Sequence, residues 1–256
     1  MKGISYPKCY ALVSGGKDSL TVAKLLQKAG KLEACVALRT HLSTPDWEGF
    51  VRKVCDEHDM PLEIYDTTES YEQLALQYGF PGPAKHSMFM IYLKGRAVRK
   101  FKKFRPGAIL ASGVRRDESV KRAANVKEVG LWEGVSILSP IFDWTTEETW
   151  EFFNDHFSER APGYATLQIS GDCLCGAYAD EGEFEALQFH YPKIGQQMVE
   201  IGAVRERQMR SIGKKPTRCK WGWGWKEQIK QKAEEAMVCF DCNKRDDLFP
   251  ETLVPA

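Results

Sequence analysis

Residues 9–20 read Cys-Tyr-Ala-Leu-Val-Ser-Gly-Gly-Lys-Asp-Ser-Leu, an apolar run that ends at Val13 and enters a glycine loop. Apolar residues then recur at helical spacing over residues 20–26. This order predicts a buried strand, a tight loop and a helix. Gly15 and Gly16 let backbone N–H groups converge on an anion, and the helix adds the positive end of its dipole. The loop is therefore predicted to be a phosphate cradle.

Four side chains of this loop are suited to phosphate groups. Lys17 supplies a positive charge, and Asp18 positions either a metal ion or the loop itself. The hydroxyls of Ser14 and Ser19 are expected to donate hydrogen bonds to phosphate oxygens. The loop is not a Walker A sequence, because its Gly-Lys pair is followed by Asp18 and the G-x-x-x-x-G-K spacing is absent.

The N-terminal part alternates between strand-like and helix-like segments. Further strands are predicted at residues 35–38, 62–65, 108–112 and 137–141. Helices are predicted at residues 47–58, 88–104 and 145–153, the last with a Thr-x-x-Glu cap. Such alternation is typical of an α/β fold, here with a mostly parallel five-stranded sheet and helices on both faces. Ligands of such sheets gather at the carboxyl ends of the strands, where the glycine loop lies.

The pattern changes beyond Trp144. No further strand is predicted there, and five of the eight cysteines fall in the last third of the chain. We therefore predict two domains. Residues 1–150 contain the glycine loop, and residues 151–256 form a small, cysteine-rich, mainly helical region.

Composition favours a soluble protein of a reducing compartment. The 256 residues carry a formal net charge of +1, and no apolar run approaches the roughly 18 residues of a membrane span. The first residues lack the apolar core of a signal peptide, so we expect a cytoplasmic protein without a membrane partner. Cysteines in such a chain favour metal or redox chemistry over a disulfide framework.

Positive charge is concentrated in two segments, residues 94–105 and 205–220. One interpretation is a surface that binds nucleic acid or another anion. The other is a pair of solvated helix faces. The sequence leaves both interpretations open, and it does not indicate an oligomeric state.

Three motifs carry a resemblance to a known family. The loop of residues 14–19 resembles the PP-loop of the adenine nucleotide alpha-hydrolase-like superfamily, whose members hold ATP or adenylyl sulfates there. Residues 112–122, Ser-Gly-Val-Arg-Arg-Asp-Glu-Ser-Val-Lys-Arg, resemble the G-x-R-x-x-E-S-x-x-R segment of the phosphoadenosine phosphosulfate (PAPS) reductase-like branch. Residues 139–145 resemble that family's turn into the helix that leads to the substrate lid.

This resemblance extends over about residues 8–176 and implies a nucleotide-binding site. An arginine guanidinium suits the tetrahedral phosphate or sulfate group of such a ligand. The residues implied to bind the nucleotide are Ser14, Gly15, Gly16, Lys17, Asp18, Ser19, Gly113, Arg115, Arg116 and Arg122.

Four cysteines form two close pairs, Cys173 with Cys175 and Cys239 with Cys242. This arrangement lets four thiolates converge on one metal centre. Adenylyl-sulfate reductases and related PP-loop enzymes carry a four-iron four-sulfur cluster on two such pairs, so the resemblance implies that cluster here. Tetrahedral zinc is the alternative, because zinc also accepts four thiolates.

Cys219 is the remaining cysteine of this region and lies between Arg218 and Lys220. Their charges are expected to lower the pKa of the thiol and to favour the reactive thiolate. Cys219 is therefore a candidate catalytic residue beside Lys17 and Asp18. A metal ligand and an inert thiol fit the sequence equally well.

The resemblance implies an enzyme of sulfur metabolism that reduces a sulfonucleotide, PAPS or adenylyl sulfate, to sulfite with a thiol partner such as thioredoxin. Because residues 243–256 contain no cysteine, that reaction would have to recruit Cys219 or an external thiol. The alternative is ATP-dependent adenylation with Mg²⁺, followed by sulfur transfer from a sulfide source to a nucleic acid or a small molecule, with release of AMP and pyrophosphate. A third interpretation is a non-catalytic nucleotide-binding module with structural zinc.

Overall fold

The computed structural model describes residues 8–67, 69–118 and 127–222. The chain forms two compact units. The first contains the described residues of Met1–Tyr71 and Met90–Leu174, and the second contains those of Glu72–Phe89 and Cys175–Ala256. The division at residue 150 stays a prediction. Within the described ranges, no helix is long and apolar enough to cross a membrane.

A six-stranded sheet organises the first unit. Its strands are β1 (Cys9–Leu12), β2 (Leu32–Arg39), β3 (Leu62–Asp66), β4 (Ile109–Ala111), β5 (Val129–Trp132) and β6 (Val135–Leu138). Their order across the sheet is β3-β2-β1-β4-β6-β5. Each neighbouring pair is parallel except β5 with β6, which is antiparallel. The predicted α/β fold with a mostly parallel sheet is confirmed.

The sheet has one strand more than the five that the sequence predicted, because β5 was not recognised. β5 and β6 form a hairpin in which Trp132 pairs with Val135. The two turn residues, Glu133 and Gly134, have positive φ angles of 51° and 73°. Such turns are usually signalled by Asn-Gly or Asp-Gly, and positive φ is uncommon for glutamate. The hairpin therefore lacked its usual sequence signal.

Nine helices are found in the described ranges. They are α1 (Lys17–Lys28), α2 (Trp47–Glu57), α3 (Tyr71–Tyr78), α4 (Pro83–Met90), α5 (Arg96–Phe104), α6 (Thr146–His156), α7 (Gly163–Thr166), α8 (Glu183–His190) and α9 (Pro192–Ser211). The helix predicted over 88–104 is interrupted by a π-helical turn at Ile91–Gly95. The other predicted helices correspond to α1, α2 and α6.

Helices cover both faces of the sheet. On one face, Leu20 of α1, Trp47 of α2 and Phe153 of α6 are almost fully buried in one apolar cluster. On the other face, Val98 and Phe101 of α5 are fully buried in a second cluster. Because both faces are covered, a ligand can approach the sheet at the ends of its strands.

The described part of the second unit is helical. At Gly195 of α9, an added Cβ would lie 2.9 Å from the Cα of Gln188 in α8, so glycine allows these two helices to pack closely. The interior of the second unit is apolar and includes Leu74, Phe80, Leu187, Met198 and Ile201.

Helix α6 begins with the cap that the Thr-x-x-Glu pattern predicts. Thr145 Oγ1 accepts a hydrogen bond from Glu148 N at 3.2 Å, and Glu148 Oε2 accepts one from Thr145 N at 2.7 Å. We expect Thr145→Ala to lower the free energy of unfolding by about 1 kcal/mol, because an unpaired helix amide remains. Thr145→Ser keeps the hydroxyl and serves as the control in urea unfolding. Equal stabilities of both variants would contradict a role for the cap.

Candidate functional site

The glycine loop joins β1 to the start of α1. Gly15 has a φ of +79°, which residues with a side chain rarely adopt. Gly16 is the N-cap residue of α1, and it supplies no side-chain cap. Backbone N–H groups at such a helix start carry a partial positive charge and favour a bound anion.

The two serines of the loop bond to the loop itself. Ser19 Oγ donates to Gly16 O at 2.8 Å and accepts from Ser14 N at 3.1 Å. Ser14 Oγ accepts from Gly16 N at 3.3 Å. Both hydroxyls therefore fix the turn, and their donation to phosphate oxygens stays a prediction.

Lys17, Asp18 and Arg115 form a charged cluster at the loop. Lys17 Nζ lies 2.8 Å from both carboxylate oxygens of Asp18, and Arg115 Nε donates to Asp18 Oδ1 at 2.6 Å. Lys17 is 8% exposed and Arg115 is 3% exposed. Burial of unpaired charges at this depth would be costly, so the shared carboxylate compensates both cations. Asp18 thereby fixes two positive groups beside the start of α1.

Gly113 explains how Arg115 reaches the loop. The chain that leaves β4 passes so close to α1 that an added Cβ at Gly113 would lie 2.7 Å from both Asp18 C and Ser19 N. Real Cβ atoms do not approach backbone atoms this closely, so a residue without a side chain is needed here. The family resemblance implied that Gly113 belongs to the site. The close approach of its backbone to that of Asp18 and Ser19 explains why glycine is needed there.

Arg116, the next residue of the predicted anion-binding segment, is not part of this cluster. Arg116 is exposed, and its Nη2 pairs with Asp143 Oδ1 at 2.8 Å. Arg122 lies outside the described residues. Contact of Arg116 and Arg122 with a phosphate or sulfate stays a prediction, whereas Arg115 lies against the loop.

Three aromatic residues that the sequence did not single out contact the loop. Trp47 Nε1 donates to Ser14 O at 2.8 Å, and Tyr164 OH accepts from Lys17 N at 3.4 Å. Lys17 Nζ also lies 5.5 Å from the ring centroid of Trp150, within range of a cation–π interaction. Burial raises the pKa of Tyr164, so its hydroxyl stays protonated. No local pattern reveals these partners, because they come from distant parts of the chain.

Residues 170–174 are hydrogen-bonded to the loop that follows β2. Gly171 O accepts from Thr44 N at 2.8 Å, and Leu174 N donates to Leu42 O at 2.8 Å. Both contacts lie in the first unit, which also contains the glycine loop. The backbone of the segment that carries Cys173 is therefore fixed at two points.

A half-buried ion pair holds the same segment from another side. Lys94 Nζ lies 2.5 Å from Asp172 Oδ2, and Ser170 Oγ donates to Asp172 Oδ1 at 3.1 Å. Lys94 lies in the π-helical turn, a feature that is frequent at functional sites. An added Cβ at Gly16 would lie 3.5 Å from Ser170 Cβ, in ordinary contact. The segment consequently lies beside the glycine loop.

The predicted metal ligands are described only in part. Cys173 is partly exposed and Cys175 is buried, while Cys239 and Cys242 lie outside the described residues. Within the described ranges, no three His, Cys, Asp or Glu side chains converge on a metal position. Thiol donors suit either an iron–sulfur cluster or zinc, and the assignment of these cysteines as metal ligands stays a prediction.

The prediction that neighbouring charges lower the pKa of Cys219 is wrong. Its Sγ donates to Thr217 O at 3.5 Å, and burial raises the pKa of the thiol above its ordinary value. Arg205 acts in the opposite direction but does not overcome burial. Adjacency in sequence to Arg218 and Lys220 therefore does not lower the pKa of this thiol, because the environment of a thiol is set by the folded chain.

Much of the positive charge in residues 94–105 is paired with carboxylates. The pairs are Lys94 with Asp172, Arg96 with Glu69, Arg99 with Glu133, and Arg105 with Glu63. In residues 205–220, Arg210 pairs with Glu206, and Arg205 is buried. A nucleic-acid partner for these segments stays a prediction.

Comparison with solved structures finds similar chains at low sequence identity. The PAPS reductase from Candida auris is 19% identical, with a TM-score of 0.44 over 59% of this chain and 74% of that chain. An FMN adenylyltransferase from Candida glabrata is 16% identical, with a TM-score of 0.40 over 57% of this chain and 47% of that chain. The chain thus spans about half the length of that enzyme.

A third similar structure is a predicted subunit of a tRNA methyltransferase from Methanocaldococcus jannaschii. It is 15% identical, with a TM-score of 0.43 over 82% of this chain and 90% of that chain. These likenesses carry no argument about activity. Comparison with proteins of curated function gives no match.

The sequence model of one family matches residues 8–167, and its description is phosphoadenosine phosphosulfate reductase domain. The matched region includes the glycine loop, Gly113 and Arg115. It spans more than half of the 256 residues and confirms the family that the motifs indicated. The chain therefore belongs to the phosphoadenosine phosphosulfate reductase domain family.

Proposed function

We propose that this chain is an enzyme that binds an adenine nucleotide at the glycine loop and cleaves ATP for sulfur transfer. The observation that carries the proposal is the cluster of Lys17, Asp18 and Arg115 beside the start of α1, where Gly16 supplies no side-chain cap. Positive groups that are already held in place need no rearrangement when negative charge develops in a reaction. This pre-organisation supports catalysis rather than binding alone.

In the proposed reaction, an oxygen atom of the acceptor attacks the α-phosphorus of ATP. The bond between the α-phosphorus and its bridging oxygen breaks, and pyrophosphate leaves with the electron pair. Lys17 and the first amides of α1 stabilise the charge on the departing pyrophosphate. Sulfide then displaces AMP from the acceptor, which leaves sulfur in place of oxygen. Mg²⁺, when present, would be held by oxygens of ATP, since Asp18 already pairs with Lys17 and Arg115.

Thiol-dependent reduction is the alternative reaction, and it needs a reactive thiolate. Reduction begins when a thiolate attacks the sulfonate sulfur, forming a sulfur–sulfur bond as the nucleotide phosphate leaves. A second thiol then releases sulfite and is oxidised to a disulfide. The raised pKa of Cys219 opposes the first step. Reduction remains the second candidate function, because the matching family is described by PAPS reductase.

One experiment separates these reactions. Protein purified without oxygen is incubated with equal amounts of ATP and PAPS and with reduced thioredoxin, and the nucleotide products are separated. Formation of AMP and pyrophosphate by the unmodified chain, together with its loss in Lys17→Met, would support the ATP reaction. Adenosine 3′,5′-bisphosphate with sulfite would establish reduction instead. Binding of nucleotide without any product would favour either the non-catalytic module or an ATP reaction that needs its acceptor in the mixture.

We also propose that Cys173, Cys175, Cys239 and Cys242 hold a metal centre, with an iron–sulfur cluster as the first assignment and zinc as the second. Such a centre would either bind the sulfide for the reaction or link the two cysteine pairs structurally. In the described half, the backbone beside Cys173 is fixed by hydrogen bonds on either side, which suits a rigid ligand. The chemistry of thiol donors fits both metals.

Cys173→Ser is expected to abolish most of the bound metal, because three thiolates do not complete the site. The measurement is iron, acid-labile sulfide and zinc content after anaerobic purification, together with the visible absorption spectrum. Cys9→Ala, in the buried sheet, is the control and should keep the metal. Full metal content in Cys173→Ser would contradict the assignment of this ligand.

A further inference from the structure

A buried arginine in the second unit has neutral partners. Arg205 lies on the buried side of α9 and is 8% exposed. Its Nη1 donates to Leu76 O at 2.6 Å, and its Nε donates to Thr217 O at 3.2 Å. Backbone carbonyls satisfy the hydrogen bonds of a guanidinium but do not cancel its charge. The neighbouring Glu206 instead pairs with Arg210.

A second arginine is brought against the first by the backbone. Arg218 has a positive φ of 57°, and its carbonyl oxygen accepts from Phe80 N at 2.9 Å. An added Cβ at Gly79 would lie 2.4 Å from Arg218 Cβ and 2.9 Å from Arg205 Nε. Gly79 therefore creates the space in which both arginines approach the end of α3. Positive φ in an arginine is a local strain that is often associated with functional sites.

Lys85 of α4 adds a third positive group. It is half-buried, and its Nζ lies 5.9 Å from the ring centroid of Tyr78. Burial, followed by the charges of Arg218 and Arg205, lowers the pKa of Lys85. Burial and then the charge of Arg205 likewise lower the pKa of Arg218. Because Tyr78 adjoins Gly79, Lys85 lies at the same end of α3 as the two arginines, and an anion would stabilise these like charges.

We propose that Lys85, Arg205 and Arg218 form an anion site that binds a phosphate group, either as the free ion or as the terminal group of a small nucleotide. A guanidinium group suits a tetrahedral oxyanion, and the ammonium group of Lys85 adds a compact positive charge. The site belongs to the second unit and is independent of the glycine loop. Arg205 and Arg218 belong to the basic segment 205–220, for which the sequence left anion binding open, whereas Lys85 lies outside both basic segments.

Lys85→Gln tests the site, because this half-buried side chain can be replaced without disturbing the buried arginine. Inorganic phosphate is titrated into the full chain by calorimetry. We expect affinity at this site to fall about tenfold with the loss of one charged partner. Lys193→Gln, an exposed position on α9, is the charge-matched control and should bind as the unmodified chain does.

Two further readouts distinguish this site from the glycine loop. Lys17→Gln, titrated in parallel, should keep the Lys85-dependent binding, and the thermal midpoint of Lys85→Gln without phosphate should equal or exceed that of the unmodified chain. The proposal is overturned if Lys85→Gln binds phosphate as Lys193→Gln does, or if all phosphate binding disappears in Lys17→Gln.

A titration with AMP in the Lys17→Gln background identifies the source of the phosphate group. The site would be assigned to a nucleotide if AMP binds at least about tenfold more tightly than phosphate and if this AMP binding is lost when Lys85→Gln is added to Lys17→Gln. Equal Lys85-dependent affinities would assign it to the free ion. Either result supports the site. The site would be contradicted if AMP and phosphate both bind equally well with and without Lys85→Gln.

Discussion

Arg115→Met is expected to lower the free energy of unfolding by about 3 kcal/mol, the lower end of the range for breaking a buried ion pair. Arg115 is 3% exposed and donates to Asp18 at 2.6 Å. Methionine fills similar space but leaves part of the carboxylate without its partner. Asp18 keeps its contact with Lys17, which limits the loss. Binding of adenine nucleotide should weaken about tenfold, because one positive group leaves the loop.

The matched control is Arg116→Met. Arg116 is the next residue, but its side chain is exposed and pairs with exposed Asp143, and such pairs contribute at most about 1 kcal/mol. Chemical denaturation of both variants checks the prediction for stability, and nucleotide titration of Arg115→Met checks the prediction for binding. Equal losses of stability in the two variants would contradict the role assigned to burial and to the contact with Asp18.

Gly113→Ala is expected to destabilise the fold by about 2 kcal/mol, because one added methyl group overpacks the contact with α1. The new Cβ would lie 2.7 Å from backbone atoms of Asp18 and Ser19, which cannot turn away as a side chain can. The chain after β4 must therefore move and carry Arg115 with it. We expect nucleotide affinity to fall about tenfold in the same variant.

Gly130→Ala is the control for this change. Gly130 lies in β5, and an added Cβ there meets no atom within 4 Å. Alanine at such a position is neutral or slightly stabilising, because it restricts the unfolded chain. Thermal unfolding and nucleotide titration of both variants provide the test. A Gly113→Ala protein as stable as Gly130→Ala would show that the close approach is not required.

The part of the fold that depends on local pattern could be predicted from the sequence. The loop after β1, the alternation of strands and helices and the cap at Thr145 all have short sequence signals. The hairpin of β5 and β6 was missed because its turn uses Glu133 and Gly134 instead of the usual residues. The π-helical turn at Ile91–Gly95 was missed because it interrupts a continuous helical pattern.

The candidate site was predictable in composition but not in its contacts. The motifs brought Lys17, Asp18 and Arg115 to one edge of the sheet, but they did not indicate that Asp18 joins the two cations. Tyr164 reaches the loop across 147 positions of the chain, a contact that no local signal encodes. The error at Cys219 has the same origin, since burial by distant residues outweighs charges that are adjacent in sequence.

Equilibrium titration of ATP into the purified chain, before any acceptor is known, tests the central claim most directly. We predict saturable binding of one ATP per chain, with an affinity that falls at least about tenfold in Lys17→Met and is unchanged in Lys193→Met. Lys17 lies at the start of α1 beside Asp18, whereas Lys193 is exposed on α9. Absence of binding in the unmodified chain, or equal binding by both variants, would contradict the assignment of the glycine loop as the nucleotide site.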